Sequence, residues 1–205
     1  MKLKICGLSK PIEVEACIKN GVNFCGFILN YPKSHRNISY EKAKELTGID
    51  KKTTKYVGVL VEPSFKELEK FSLLNFDYFQ LYGQYNNKLL IEIKNKFQKK
   101  IISTIQVKVK SDIEAYKKLE DGSDIILWDS AGYEKSLGWK HIWIKDIKIK
   151  GEKMIAGNIT KDKLGYLSKL ADIIDVSGAL ETNKVKDIKK IEDFVTHVKK
   201  IKNEN

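Results

Sequence analysis

Short apolar runs rich in β-branched residues alternate with lysine–glutamate segments of helical periodicity along the whole chain. The runs LKIC (3–6), FCGFIL (24–29), KYVGVLV (55–61), YFQL (78–81), IISTIQV (101–107), DIILW (124–128), KMIA (153–156) and DIIDVS (172–177) read as strands. Amphipathic patterns near 11–20, 40–48, 64–74, 86–98, 112–119, 139–146, 160–169 and 187–201 read as helices. Ser39, Ser64 and the pair Ser111-Asp112 stand where helix N-caps belong.

Strand–helix alternation predicts βαβ units and a parallel sheet. Eight units of about 25 residues suit a closed (β/α)₈ barrel near the lower end of its size range. No linker or change of composition divides the chain, so residues 1–205 are expected to form a single barrel domain. An open doubly wound sheet is the structural alternative. It would ordinarily place a glycine-rich dinucleotide turn after the first strand, where this chain has only CGLSKP. The terminal KKIKNEN reads as a frayed helix end.

Composition narrows the function classes. The chain is 42% hydrophobic and 32% charged, with no long apolar run and no leader pattern at MKLKICGLSKP, so a cytoplasmic, non-membrane protein is expected. The three cysteines form no C-x-x-C pair, and the three histidines have no ligand spacing, so neither disulfide nor metal is expected. A net charge of +11 invites a nucleic-acid reading. The lysines are interleaved with acids, as in EKAKEL and FKELEK, in the manner of solvated helix faces, and no nucleic-acid partner is expected. Arg36 is the only arginine, which points to a planar, bidentate contact with carboxylate or phosphate at that position.

Active sites of β/α barrels gather at the C-terminal strand ends. Those positions hold Cys6, Arg36, Gln80, Tyr82, Asp129, Gly157-Asn158, Asp175 and Ser177-Gly178. The set suits acid–base chemistry on an anionic, phosphorylated small molecule. Cys6 is followed by Gly7, which would let a substrate approach the backbone, and Lys4 could lower its thiol pKa. Cys17 and Cys25 read as packing residues. Asp129 is a candidate general acid if burial raises its pKa. The turns AGNIT and VSGAL follow strands seven and eight, where such barrels often bind phosphate through backbone N–H groups.

KICGLS, FCGFIL with YPKSHRNIS, VGVLVEPS, QLYG, ILWDS, AGNIT and DVSGALE fall in the order and spacing of one family. Nearly the whole chain resembles the phosphoribosylanthranilate isomerases of tryptophan biosynthesis. The resemblance implies an Amadori rearrangement without cofactor or metal, with Asp129 as acid and Cys6 as base. It further implies that Arg36 pairs with the anthranilate carboxylate and that Gly157-Asn158 and Ser177-Gly178 hold the phosphate. Gln80 would contact substrate, and Asp175 would order substrate hydroxyls or the loop. The chain departs from the family at Asn158, at Ala179, at Tyr82, where a histidine is usual, and in the loop SAGYEKSLGW (130–139). The sister isomerase of histidine biosynthesis carries aspartate at the first strand end, which Cys6 argues against. Another barrel enzyme that binds a phosphorylated substrate, such as a synthase or epimerase, and, from a different class, a non-catalytic basic binding module are the remaining alternatives. Either a monomer or a homodimer fits the sequence.

Overall fold

A computed structural model describes residues 1–132 and 138–203; residues 133–137, within the segment SAGYEKSLGW, and the last two residues lie outside the described part. Eight parallel strands close into a barrel: β1 (Lys2–Cys6), β2 (Phe24–Ile28), β3 (Lys55–Val61), β4 (Tyr78–Tyr82), β5 (Lys100–Val107), β6 (Ile125–Ser130), β7 (Glu152–Ile155) and β8 (Ile173–Val176). Closure is made by β1 on β8, with Lys4 opposite Asp175 in register. The barrel expected from the alternation is therefore the fold, and an open sheet is excluded.

Successive side chains of a strand point to opposite faces, so each strand divides its residues between two cores. The outward set, including Ile5, Phe27, Leu60, Phe79 and Ile126, packs under the helices. Cys17 and Cys25 are wholly buried in this outer shell, as their packing role requires. The inward set forms a smaller cluster of Cys6, Phe24, Val57, Val59, Tyr78, Ile102, Ile125, Leu127, Met154, Ala156 and Ile173. The same alternation turns Lys4 and Cys6, Gln80 and Tyr82, Asp129, and Asp175 toward the axis at the upper end.

Helices α1 (Pro11–Lys19), α2 (Tyr40–Thr47), α3 (Phe65–Ser72) and α4 (Asn87–Phe97) lie where the periodicity places them. Ser39 and Ser64 cap as expected, Ser39 Oγ accepting from the Lys42 amide at 3.1 Å and Ser64 Oγ from that of Glu67 at 3.2 Å. The fifth and sixth segments differ. Lys110–Lys118 and His141–Ile144 are 3₁₀ helices. Asp112 starts the first of them earlier than Ser111-Asp112 suggests, because its carboxylate accepts from the amides of Lys108 and Val109 at 2.7 and 2.9 Å. The seventh is a 3₁₀ turn, Lys161–Lys163, running into the short α5 (Leu164–Leu167), and α6 (Ile188–Asn203) extends through most of the expected frayed end. A two-stranded hairpin, β9 (Glu181–Thr182) with β10 (Val185–Lys186), precedes α6 and has no counterpart in the sequence reading. Among the described residues no helix is long and apolar enough to cross a membrane.

Candidate active site

The strand ends open onto a cavity of about 470 Å³ lined by Cys6, Arg36, Tyr82, Asp129, Asp175 and the turns after β7 and β8. Of the expected site residues only Gln80 is missing from this lining. It is wholly buried, and its Nε2 donates to the Tyr82 hydroxyl at 3.3 Å, so it supports Tyr82 from beneath.

Asp129 does not follow its strand but belongs to it, as the penultimate residue of β6. Its Oδ2 accepts from the Tyr82 hydroxyl at 2.8 Å and its Oδ1 from the Ser130 amide at 2.7 Å. Burial pushes the carboxyl up to about 6; the Tyr82 hydrogen bond pulls it down, and the nearby Asp175 charge adds to the rise. Burial and the charge of Asp129 hold the Tyr82 phenol well above its usual range, so it remains a donor.

On β1, Lys4 is fully buried and donates to Asp175 Oδ2 at 2.7 Å. Burial alone would lower the lysine; the carboxylate and the neighbouring Cys6 sulfur outweigh it, and its pKa lies above the ordinary value. A buried charge persists only when it is paired. Cys6 is 9% exposed. The expectation that Lys4 lowers its thiol pKa below the usual value is corrected here: burial wins, and the thiol is raised despite the pull of Lys4. Asp175 Oδ1 has no hydrogen-bond partner among the described residues, nor does Gln80 Oε1.

The turn after β7 carries two positive φ angles, 90° at Gly157 and 53° at Asn158, the left-handed geometry that asparagine tolerates better than most residues. Gly157 has no alternative, since a Cβ there would stand 2.8 Å from Ser130 Oγ. Two residues from the sixth helical segment brace this turn: Trp139 Nε1 donates to the Ala156 carbonyl at 3.0 Å and His141 Nε2 to that of Gly157 at 3.1 Å. Burial lowers the His141 pKa, which keeps the ring neutral. After β8, Ser177 Oγ donates to the Cys6 carbonyl at 2.8 Å, tying the turn to the first strand end and leaving Gly178 against the cavity.

Arg36 reaches the cavity from the loop after β2, packed on Gly7. Gly7 has φ 78°, and a Cβ on it would fall 2.4 Å from Arg36 Cδ, so the space above this glycine is filled by the arginine stem rather than left for substrate. The bidentate contact foreseen for Arg36 exists, but inside the protein: Nε and Nη2 donate to Glu181 at 2.6 and 2.9 Å. Lys186 Nζ meets the same carboxylate at 2.5 Å. Burial would raise Glu181, but the two cations overcome it and hold its pKa at about 2. Sequence reasoning missed Glu181 and Lys186; the E…K spacing across DVSGALETNKVK was the available signal, but it looks like ordinary surface charge. Among the described residues no group of three His, Cys, Asp or Glu side chains is placed to hold a metal.

Residues 3–197 match the family described as N-(5'-phosphoribosyl)anthranilate (PRA) isomerase. A curated relative of that name from Streptococcus gordonii is 33% identical over 205 residues, covering 97% of each chain. The solved phosphoribosylanthranilate isomerase of Thermus thermophilus superposes with a TM-score of 0.85 at 20% identity, over 98% of this chain and 100% of that one. A second solved isomerase, in complex with reduced 1-(o-carboxyphenylamino)-1-deoxyribulose 5-phosphate, gives 0.79 at 22% identity over 98% and 99% of the two chains.

Proposed function

The chain belongs to the N-(5'-phosphoribosyl)anthranilate isomerase family, and from that premise we propose how its residues divide the work of the Amadori rearrangement that this isomerase performs in tryptophan biosynthesis. The reaction converts N-(5-phosphoribosyl)anthranilate to 1-(2-carboxyphenylamino)-1-deoxyribulose 5-phosphate. Asp129 is the general acid. It protonates the ribose ring oxygen, the C1–O bond breaks, and the aniline nitrogen lone pair forms the Schiff base. Cys6 is the base that removes the proton from C2, giving an enolamine that tautomerises to the ketone.

The two groups rest in the wrong protonation states at neutral pH, since the thiol is raised and the carboxyl titrates near 6. The reactive form carries the proton on Asp129 and the negative charge on Cys6, beside the Lys4 ammonium. Lys4 supports the base by favouring that form. The backbone of Gly157-Asn158 and Ser177-Gly178 holds the phosphate, Arg36 takes the anthranilate carboxylate, and Asp175 presents its Oδ1 to a ribose hydroxyl.

The observation that carries this reading is the common cavity: acid, base, cation and two small-residue turns all line it. The test is direct. Purified protein mixed with N-(5-phosphoribosyl)anthranilate is expected to quench the substrate's anthranilate fluorescence catalytically, with no added metal or cofactor. Fluorescence decaying only at the spontaneous rate would overturn it.

A further inference from the structure

Arg36 is the only arginine in a chain of 205 residues that uses lysine for every other fixed cation. Its contact with Glu181 explains why lysine would fail here. Glu181 takes the Nε and Nη2 hydrogens, which form the side-on edge of the guanidinium. A guanidinium has five N–H donors in one plane, so Nη1 and the second Nη2 hydrogen make a separate, end-on edge able to hold another carboxylate in a fork. Arg36 lines the cavity, and Nη2 lies 3.5 Å from the position a Cβ would take on Gly178. An ammonium is a point charge and has no second edge to orient.

The carboxylate on the side-on edge is itself held in place. Glu181 and Lys186 are cross-strand partners in the β9–β10 hairpin, with side chains 9% and 1% exposed. Lys186 Nζ bonds Glu181 Oε1 at 2.5 Å and also the carbonyl and hydroxyl of Ser177, at 3.3 and 3.2 Å. His35 Nε2 lies 3.2 Å from Glu181 Oε2. An isolated Arg36–Glu181 pair would be neutral and would offer an incoming anion little attraction. Lys186 restores a net positive charge to the cluster.

We propose that Glu181 is a positioning residue, fixing the guanidinium plane of Arg36 so that its end-on edge faces the substrate's carboxylate, while Lys186 keeps the cluster cationic. This rests on the reading of Arg36 as the carboxylate contact. It makes the short hairpin before α6 part of the specificity for an ortho-carboxylated aniline, although Glu181 itself touches no substrate.

The experiment is calorimetric binding of two product analogues, reduced 1-(o-carboxyphenylamino)-1-deoxyribulose 5-phosphate and its counterpart without the carboxyl group. In the unaltered protein the carboxyl is expected to tighten binding by about thirtyfold, the size of a charge-assisted fork. Glu181→Gln should cut that advantage to about threefold or less while binding the carboxyl-free analogue as before. The carboxyl-free analogue reports on the integrity of the rest of the site. Equal weakening of both analogues would show a purely structural role and overturn the proposal, as would an undiminished advantage. Arg36→Lys separates the two levels of the argument. If it loses the carboxyl advantage while Glu181→Gln keeps it, the positioning role alone falls; if it keeps the advantage, the reading of Arg36 falls.

Discussion

The Tyr82 hydroxyl, at the end of β4, donates a 2.8 Å hydrogen bond to Asp129 Oδ2 at the end of β6. The phenol thus stands against the proposed acid at the position where an imidazole is usual in the family. Its donated bond stabilises the carboxylate and opposes the upward push of burial. The Gln80 amide supports the phenol from below. Lys4 and Asp175 also act on this carboxyl through space.

Tyr82→Phe removes that bond and should move the Asp129 pKa upward from about 6. Below this pKa, both Cys6 and Asp129 are protonated and the base is lost. The acid limb of the kcat/KM profile is therefore expected to shift toward higher pH, by roughly one unit for a single hydrogen bond to a charge. An unmoved limb, read from rates between pH 5 and 8, would show that Tyr82 does not act on the acid.

Asp129→Asn should abolish turnover while preserving product binding and the fold. It should also stabilise the protein. A carboxyl with a folded pKa of about 6 against 3.8 when unfolded carries a penalty that is absent below pH 3.8, grows as pH rises between the two values, and is complete above 6, at up to roughly 3 kcal/mol. Thermal melts should show the variant ahead at pH 7.5, with the gap closing toward pH 4. A variant that melts lower at pH 7.5 would contradict the assignment of a strained acid.

The difference between what was legible beforehand and what was not follows from range. Strand periodicity is local, so the strand-end positions of Cys6, Asp129 and Asp175 could be read from a few residues each. The environment of each group is not local: Lys4 meets Asp175 across 171 residues, and Arg36 meets Glu181 across 145. Barrel closure makes the first pair, and a hairpin of two-residue strands makes the second, too short to leave a periodic signal. The raised thiol of Cys6 escaped for a similar reason. Lys4 alone suggested a lowered pKa, and only the packed barrel shows that burial outweighs it.

Glu181 offers a second pH signature with the opposite sign. Its folded pKa, about 2, lies below the ordinary 4.5, so the stability it contributes is fully present above pH 4.5 and is lost as pH falls toward 2. Because solvent screens part of the cluster, the contribution is roughly 1 to 2 kcal/mol. Glu181→Gln should lower the urea midpoint at pH 7, with the gap closing steadily below pH 4.5 and nearly gone at pH 2. A gap that persists unchanged into acid would show that packing, not charge, anchors the hairpin.

Gly157→Ala tests the turn after β7. The new Cβ would meet Ser130 Oγ at 2.8 Å and Ser130 N at 2.9 Å, at a φ of 90°. Strain and overpacking together should destabilise the protein by about 2 kcal/mol or more. If this turn holds the phosphate, the affinity for inorganic phosphate as a competitive inhibitor should fall as well. Unchanged inhibition in a folded variant would place the phosphate elsewhere.

The central claim is that Cys6 removes the C2 proton. The most direct measurement is the isomerisation rate of Cys6→Ala, followed by loss of substrate fluorescence at saturating N-(5-phosphoribosyl)anthranilate. Loss of a positioned base predicts a fall in kcat of about 10²- to 10⁴-fold with product binding retained. A kcat within tenfold of the unaltered protein would contradict the claim and move the base to another residue of the cavity.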